Sequence, residues 1–493
     1  MKKKICTISI LFLITVAVTI EYLVGFNSYD TQKIISMGYL EYAKKLFWAD
    51  GRIFSGLYIC IGKILNIANP TNLYIFSVVL CIFLIIGNVI YFKRLLEKIS
   101  TRKINEGLLY VLSYITIFNF TYSDIMTFIE MPILQLSIFL YMLAAKFAVI
   151  DKNKKKMLLT LILAIFMYQG TINVFFIMIV FFILQKYRKL DKKNIKEIVK
   201  LYAYSAIPIV INFMYIKIYG MIFNETDRMG SLDFASLISR IVYSLNSMIR
   251  ITSESIYTMP RYLYIFLVLD VLIFAYLIAI FKAKKTPQNT KDIHQYMQST
   301  YNIIILIIIS VISCIPLIVA FQVLLLYYCG RLFWPIGASL GLILLELVLN
   351  TNCLENKKLK LFVLTFITIY MLILYPGMYR VVGINKEGNN ADKEICYQIK
   401  NKLDEYEKNT GKKIEKIKVH LEYKENGGLS EKYKNVRLAK SCILIGLPIN
   451  NLLNYYCGID SNKVEYTQEK VVDFENDLDF YFNENILYVY TAI

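Results

Sequence analysis

Residues 26–70 read FNSYDTQKIISMGYLEYAKKLFWADGRIFSGLYICIGKILNIANP, and the rest of the chain is organised around them. The stretch lies between two apolar runs, 5–25 and 73–92, each long enough to cross about 30 Å of hydrocarbon as a helix. It gathers Asp30, Glu41, Trp48, Asp50 and Arg52 in one place. Asp30 follows the first apolar run closely, which puts its carboxylate near a membrane surface. KIISMGYLEYAKKLF sets Ile34, Met37, Leu40 and Tyr42 among polar residues, an amphipathic pattern suited to lying in the interface. Trp48-Ala49-Asp50-Gly51-Arg52 ends that segment with a glycine turn, and Ile53–Leu65 is apolar again but too short to span.

Outward from this loop, apolar runs of spanning length recur along the 493 residues, 57% of which are hydrophobic. A soluble chain of this length would divide into domains of more ordinary polarity. The runs predict an α-helical multi-pass membrane protein with about 11 transmembrane helices: 5–25, 73–92, 107–121, 125–150, 157–169, 171–185, 201–223, 262–281, 302–327, 332–350 and 360–382. MKKK followed by an apolar stretch resembles a signal peptide, but the run is too long and lacks an A-x-A-like site, so it reads as an uncleaved first helix. Lys/Arg clusters such as FKRLLEKISTRK, DKNKKK and QKYRKLDKKNIK fall in alternate loops. This places the N-terminus in the cytoplasm, residues 26–70 and 224–260 outside, and the C-terminus outside, in what composition suggests is a bacterial plasma membrane. The net charge of +18 sits in those clusters, so it argues for membrane topology and against a nucleic-acid partner.

After residue 383 the composition changes. The tail 384–493 is rich in Lys, Glu, Asp and Asn, and forms a small α/β domain on the outer face. Asn389-Asn390 is read as the cap of a helix over 391–408, and KIEKIKVHLEY, SCILIGLPI and NILYVYTAI as strands. No motif in the tail carries chemistry, so a lid or docking role is expected.

The chain has two histidines, His294 in a basic loop and His420 in the tail. Imidazole bases and Ser-His-Asp chemistry therefore have no material in the membrane part, and proton transfer there falls to carboxylates. The nine cysteines include no CxxC pair and read as small apolar residues, although Cys442 and Cys457 have a spacing that permits pairing.

Charged groups near membrane depth are costly and mark function by default. An acid at a membrane surface beside an arginine suits transfer of a sugar from a lipid phosphate. A carboxylate, Asp30 or Asp50, takes the acceptor's proton, and Arg52 stabilises the departing phosphate. A helix-ending Asp30 and a solvated Asp50–Arg52 pair are the bland alternative. Asp124 and Glu130 flank the turn in TYSDIMTFIEMP, where they can hold a divalent cation, orient the first loop or form salt bridges. Arg331 in YYCGRLFWPIG is a phosphate candidate or an interfacial snorkelling residue. Asp270 sits in mid-helix and needs a partner.

These pieces resemble the glucosyltransferase II-like membrane proteins that glucosylate O-antigen, within the wider GT-C class. The matching residues are Tyr29-Asp30, Asp50-Gly51-Arg52, SDIMTFIEMP, MYQGTINVFF and CGRLFWPIG, in that order over residues 1–390. The resemblance implies inverting transfer of a hexose, typically glucose, from a polyprenyl-phosphate sugar to a cell-surface glycan on the outer face. Asp30 would be the base, and Arg52, Trp48, Arg331, Gln169, Asp124 and Glu130 are the substrate-binding candidates. The family often pairs two acids ahead of an arginine, whereas here Tyr29 precedes Asp30 and Lys33 follows, so Asp30 and Asp50 both stand as candidate bases. No cofactor is specified beyond the divalent cation. A polysaccharide polymerase, with Arg228, Arg240 and Arg250 in its second outer loop, is the alternative, and a lipid-linked sugar flippase a more distant one.

Overall fold

The computed structural model describes residues 2–26, 28–100, 102, 104–223, 290–314, 330–355, 357–422, 449–468, 476 and 478–492. The 262–281 span, the 224–260 loop, Asp270, Arg228, Arg240, Arg250 and Cys442 lie outside these residues.

The chain is largely α-helical. Helix α1 (Lys2–Leu23) leads into the 26–70 stretch, which folds as α2 (Tyr29–Trp48) and α3 (Ile53–Ile64). Ser28 caps α2 by accepting from the Thr31 N–H at 3.2 Å. Gly38, at φ +84°, breaks α2 into two segments, a conformation that glycine adopts without a Cβ penalty. Then come α4 (Pro70–Ile99), capped by Asn69 with Pro70 in its first turn, α5 (Glu106–Ile117) and the four-residue α6 (Tyr122–Ile125). They are followed by α7 (Met131–Val149), α8 (Lys154–Met167), α9 (Asn173–Tyr187), α10 (Lys192–Phe223), α11 (Thr290–Ile312), α12 (Trp334–Asn350) and α13 (Lys357–Thr410).

Among the described residues eight helices are long and apolar enough to cross a membrane, consistent with a multi-pass membrane protein. They account for eight of the expected runs. Two others are corrected: 107–121 yields only the 12-residue α5, and 157–169 only the 14-residue α8. At 1.5 Å per residue these reach roughly 18 and 21 Å, short of about 30 Å of hydrocarbon. The 125–150 run also opens late. Residues 118–130 form an irregular bend, and α7 starts at Met131.

Such bends need partners for their carbonyls, and buried tyrosines supply them. Tyr22 donates to the Ser123 carbonyl at 3.4 Å, Tyr74 to Met126 at 2.7 Å, Tyr375 to Phe118 at 3.2 Å and Tyr141 to Tyr168 at 3.3 Å. Buried tyrosines thus hold the breaks in place.

Helix α12 is the axis of the bundle, buried along its whole length. Gly337 and Gly341 make a GxxxG face against α5. A Cβ at Gly341 would stand 2.7 Å from the Thr116 backbone nitrogen and 2.8 Å from its Cα, so only glycine permits this approach. Lower on α12, Glu346 is fully buried. It accepts from Gln185 at 2.5 Å, Asn302 at 2.7 Å and Asn350 at 2.7 Å, tying α9 and α11 to α12.

Helix α13 runs 54 residues without interruption, so Asn389 and Asn390 lie inside it rather than capping a new helix. Asn389 is buried where α13 passes from the main bundle to the C-terminal unit, and packing there overrides a propensity that is only a weak prior. The large apolar core ends along α13 at Val382, and a second core begins at Ile395. Beyond it are β1 (Lys416–Glu422), α14 (Ile449–Cys457), β2 (Val464–Tyr466), β3 (Leu478–Asn483) and β4 (Ile486–Ala492). They make a small mixed sheet in the order β2-β1-β4-β3, parallel at β2/β1 and β1/β4 and antiparallel at β4/β3. KIEKIKVHLEY and NILYVYTAI are strands as expected. Of SCILIGLPI only Ile449 is described, and it opens α14. Cys457 is a free thiol donating to the Cys396 carbonyl at 3.3 Å.

Candidate functional site

The turn Asp50-Gly51-Arg52 sits where α2 gives way to α3. Gly51 holds φ +62°, and a Cβ on it would meet Ile216 of α10 at 2.7 Å, so the turn is packed as tightly as it is bent. Asn212 of α10 donates to the Gly51 carbonyl at 3.0 Å. Ser55 of α3 donates to the Met167 carbonyl at 3.1 Å, drawing the turn toward the break after α8.

At that break Tyr168 is extended and residues 169–171 form a 3-10 turn, which directs Tyr168 and Gln169 to the same place. Gln169 is the hub. Its amide donates to the Asp50 carbonyl and to Asn212 Oδ1 at 3.1 Å, while its carbonyl oxygen accepts from Arg52 Nε at 3.4 Å.

Arg52 Nη1 donates to Glu130 Oε1 at 2.7 Å and stands 4.0 Å from Asp50 Oδ2. Its guanidinium lies 4.4 Å from the centroid of Tyr168, a cation–π distance. Glu130 precedes α7 at the end of the 118–130 bend and is 3% exposed, and its second oxygen, Oε2, has no hydrogen-bond partner among the described residues. A buried carboxylate oxygen without a donor is expensive and marks the direction in which a ligand would be welcomed. Burial works against the charge on Arg52, but Glu130, Tyr168 and Asp50 outweigh it and hold the guanidinium protonated.

A second arginine approaches the same tyrosine. Arg331, on a 3-10 turn just before α12, donates through its backbone N–H to Asp124 Oδ2 at 3.1 Å and pairs with the same oxygen through Nη1 at 3.3 Å. Its Nε donates to the Tyr168 hydroxyl, and its guanidinium lies 4.0 Å from the Phe128 centroid.

Asp30, in the first turn of α2, is 6% exposed and accepts from the Tyr42 hydroxyl at 2.7 Å. Burial first, and then Asp30, Glu130 and Asp50, push the Tyr42 phenol well above its ordinary value, so it stays a neutral donor. The same influences show that these three carboxylates share one electrostatic neighbourhood.

The structure therefore brings together Asp30, Asp50, Arg52, Asp124, Glu130, Gln169 and Arg331 from five separated stretches. It does not bring Trp48 with them. The Trp48 ring lies flat on Tyr219 of α10, with centroids 3.6 Å apart and planes at 2°, in a stack that Phe223 extends. Tyr42, Tyr168 and Asn212 complete the site without having been assigned to it. Asn212 carried a readable signal, a lone amide in the apolar run IVINFMY, and Tyr168 stood in the turn motif itself.

Asp124 and Glu130 do not face a common centre. Each is engaged by a different arginine, so of the roles open to them the salt bridge is the one seen. Among the described residues there is no group of three carboxylate, imidazole or thiol donors able to hold a metal ion. Paired with arginines as they are, Asp124 and Glu130 do not fit a resident divalent cation. Comparison of the chain with family models, with curated proteins and with solved structures returns no match.

Proposed function

We propose that the chain is an integral membrane glycosyltransferase that moves a hexose, most simply glucose, from a polyprenyl-phosphate donor to a cell-surface glycan on the outer face. The observation that carries the reading is the convergence just described: two arginines flank one tyrosine ring, Glu130, Asp50 and Asp124 engage them, and Asp30 is held by Tyr42 within α2. In this reading the N-terminus is cytoplasmic and the loop 26–70 faces outward.

The roles divide by partner. Asp50 faces a guanidinium, and its backbone carbonyl is held by Gln169, so it positions Arg52. Asp30, held by a neutral phenol rather than beside a guanidinium, is the base in this reading, with Asp50 the alternative. Arg52 and Arg331 supply the charge-assisted hydrogen bonds that stabilise the leaving lipid phosphate. Glu130 and Asp124 hold the two arginines in place until the donor's phosphate arrives. Attack of the deprotonated acceptor hydroxyl at the anomeric carbon breaks its bond to the phosphate oxygen, and the phosphate leaves carrying that electron pair.

The test is a sugar analysis of surface glycans from cells lacking the gene, complemented with wild type or with Asp30→Asn. Loss of one hexose, restored only by wild type, supports the reading. A glycan of unchanged composition but altered length replaces it with a polymerase.

A further inference from the structure

Some distance along α13 from the carboxylate–arginine cluster, a cavity of about 450 Å³ opens between the end of α1, the turn before α4 and the α13–α14 junction. Its chemistry is the reverse of the cluster's. Lys386 and Lys393 line it with Asn69, Tyr397, Tyr455 and Tyr456, and among the described residues no carboxylate does. The two lysines stand seven residues apart, about two turns along α13. The Lys393 ammonium lies 5.7 Å from the Tyr397 ring centroid, and Tyr455 shares a 2.9 Å hydrogen bond with Thr71. The cavity is thus fixed to both the C-terminal unit and the first loop.

We propose that this cavity binds a polyhydroxylated chain carrying phosphate, a polyol-phosphate or phosphorylated saccharide segment. The two ammonium groups supply charge for phosphodiester oxygens. The amides and phenols supply hydrogen bonds and flat faces for the hydroxylated units between them. Val24 and Gly25 follow the first spanning helix and Asn69 precedes the next, so the cavity lies level with the ends of two helices long and apolar enough to cross a membrane. Lys393, the further of the two lysines along α13, is exposed. Among the described lining residues Val24 is the one aliphatic side chain, too little to seat an acyl chain, which favours a glycan over a lipid. That the bound chain is the acceptor rests on the transferase reading; that it binds does not. The end of α1 gives the connection, since Gly25 borders the cavity five residues before Asp30.

The test uses the full chain in nanodiscs of neutral lipid, titrated calorimetrically with a soluble glycerol-phosphate hexamer and, separately, with maltohexaose. The hexamer binds, maltohexaose binds at least tenfold more weakly, and Lys393→Gln or Lys386→Gln/Lys393→Gln weakens the hexamer tenfold or more. Lys393 is exposed, so its single substitution leaves the fold intact and keeps the test valid if the double variant fails to fold. Equal binding of both oligomers, or hexamer binding indifferent to Lys393→Gln, overturns the proposal. Loss of hexamer binding when anionic lipid is added to the nanodisc also overturns it, because the cavity is then a headgroup site. Hydrolysis of a polyprenyl-phosphate hexose by the same preparation reports separately on the transferase reading.

Discussion

The Arg52–Glu130 pair offers the sharpest test of the buried cluster, because its geometry predicts an asymmetry. At an effective dielectric near 20, a contact of 2.7 Å corresponds to a gross attraction of about 6 kcal/mol, and the 4.0 Å approach of Asp50 to about 4 kcal/mol. Desolvation cancels much of this, and removing one partner of a buried pair costs about 3–5 kcal/mol overall. Glu130→Gln leaves Arg52 with Asp50 and with the Gln169 carbonyl, so its cost falls at the low end, about 3 kcal/mol. Arg52→Gln strands Glu130, which is buried and held by Arg52 at 2.7 Å, and removes a cation 4.0 Å from Asp50, so it falls at the high end, about 5 kcal/mol. In the double variant Glu130 is no longer a stranded charge, so the double costs no more than Arg52→Gln alone and the two effects fall short of additivity by about 3 kcal/mol or more. Reversible unfolding in mixed micelles of mild detergent and dodecyl sulfate measures all four corners of the cycle. Additivity within about 0.5 kcal/mol, or a larger cost for Glu130→Gln than for Arg52→Gln, would show that the pair is not the buried, Asp50-supported contact described here.

Asp30→Asn keeps an acceptor for the Tyr42 hydroxyl and should shift stability by less than about 1 kcal/mol, while hexose transfer from a polyprenyl-phosphate donor falls about 10²- to 10⁴-fold. Asp50→Asn should cost less in rate, and the opposite ranking in the same radiolabel assay would make Asp50 the base. Gly341→Ala drives a Cβ into the Thr116 backbone and should destabilise the bundle by about 1–3 kcal/mol or more; unchanged micelle unfolding would mean that α5 and α12 are further apart than described. Gly51→Ala meets both an unfavourable φ and Ile216. It should reduce transfer, with Ile216→Ala restoring only the part due to crowding, and full restoration would remove the argument from backbone strain.

How much of the site was legible depends on what each residue's neighbours contributed. Asp30, Asp50, Arg52, Asp124, Glu130 and Arg331 stood out because charge near an apolar run is costly wherever the chain folds. Gln169 was visible through its place in a turn motif. Tyr42 and Tyr168 were hidden because tyrosines are common throughout such a chain, and only packing tells a belt residue from one that donates to a carboxylate or underlies a guanidinium. Trp48 misled for the same reason: the residue type announces a flat face, and the fold covers that face with Tyr219.

By itself the sequence determined a largely helical chain with several spans and a small mixed domain at its end, because runs of apolar residues and their interruptions are local properties of length and composition. Tertiary structure decided which helices stop short, since α5 and α8 end where tyrosines elsewhere in the bundle take up their carbonyls. It likewise decided that Asn389 lies inside a continuous α13, that Asp124 and Glu130 answer to different arginines, and that two lysines of α13 line a cavity with amides and phenols. Each of these is a matter of which distant groups meet. Pairing across more than a hundred residues is set by the packing of the whole core, and no local pattern records it.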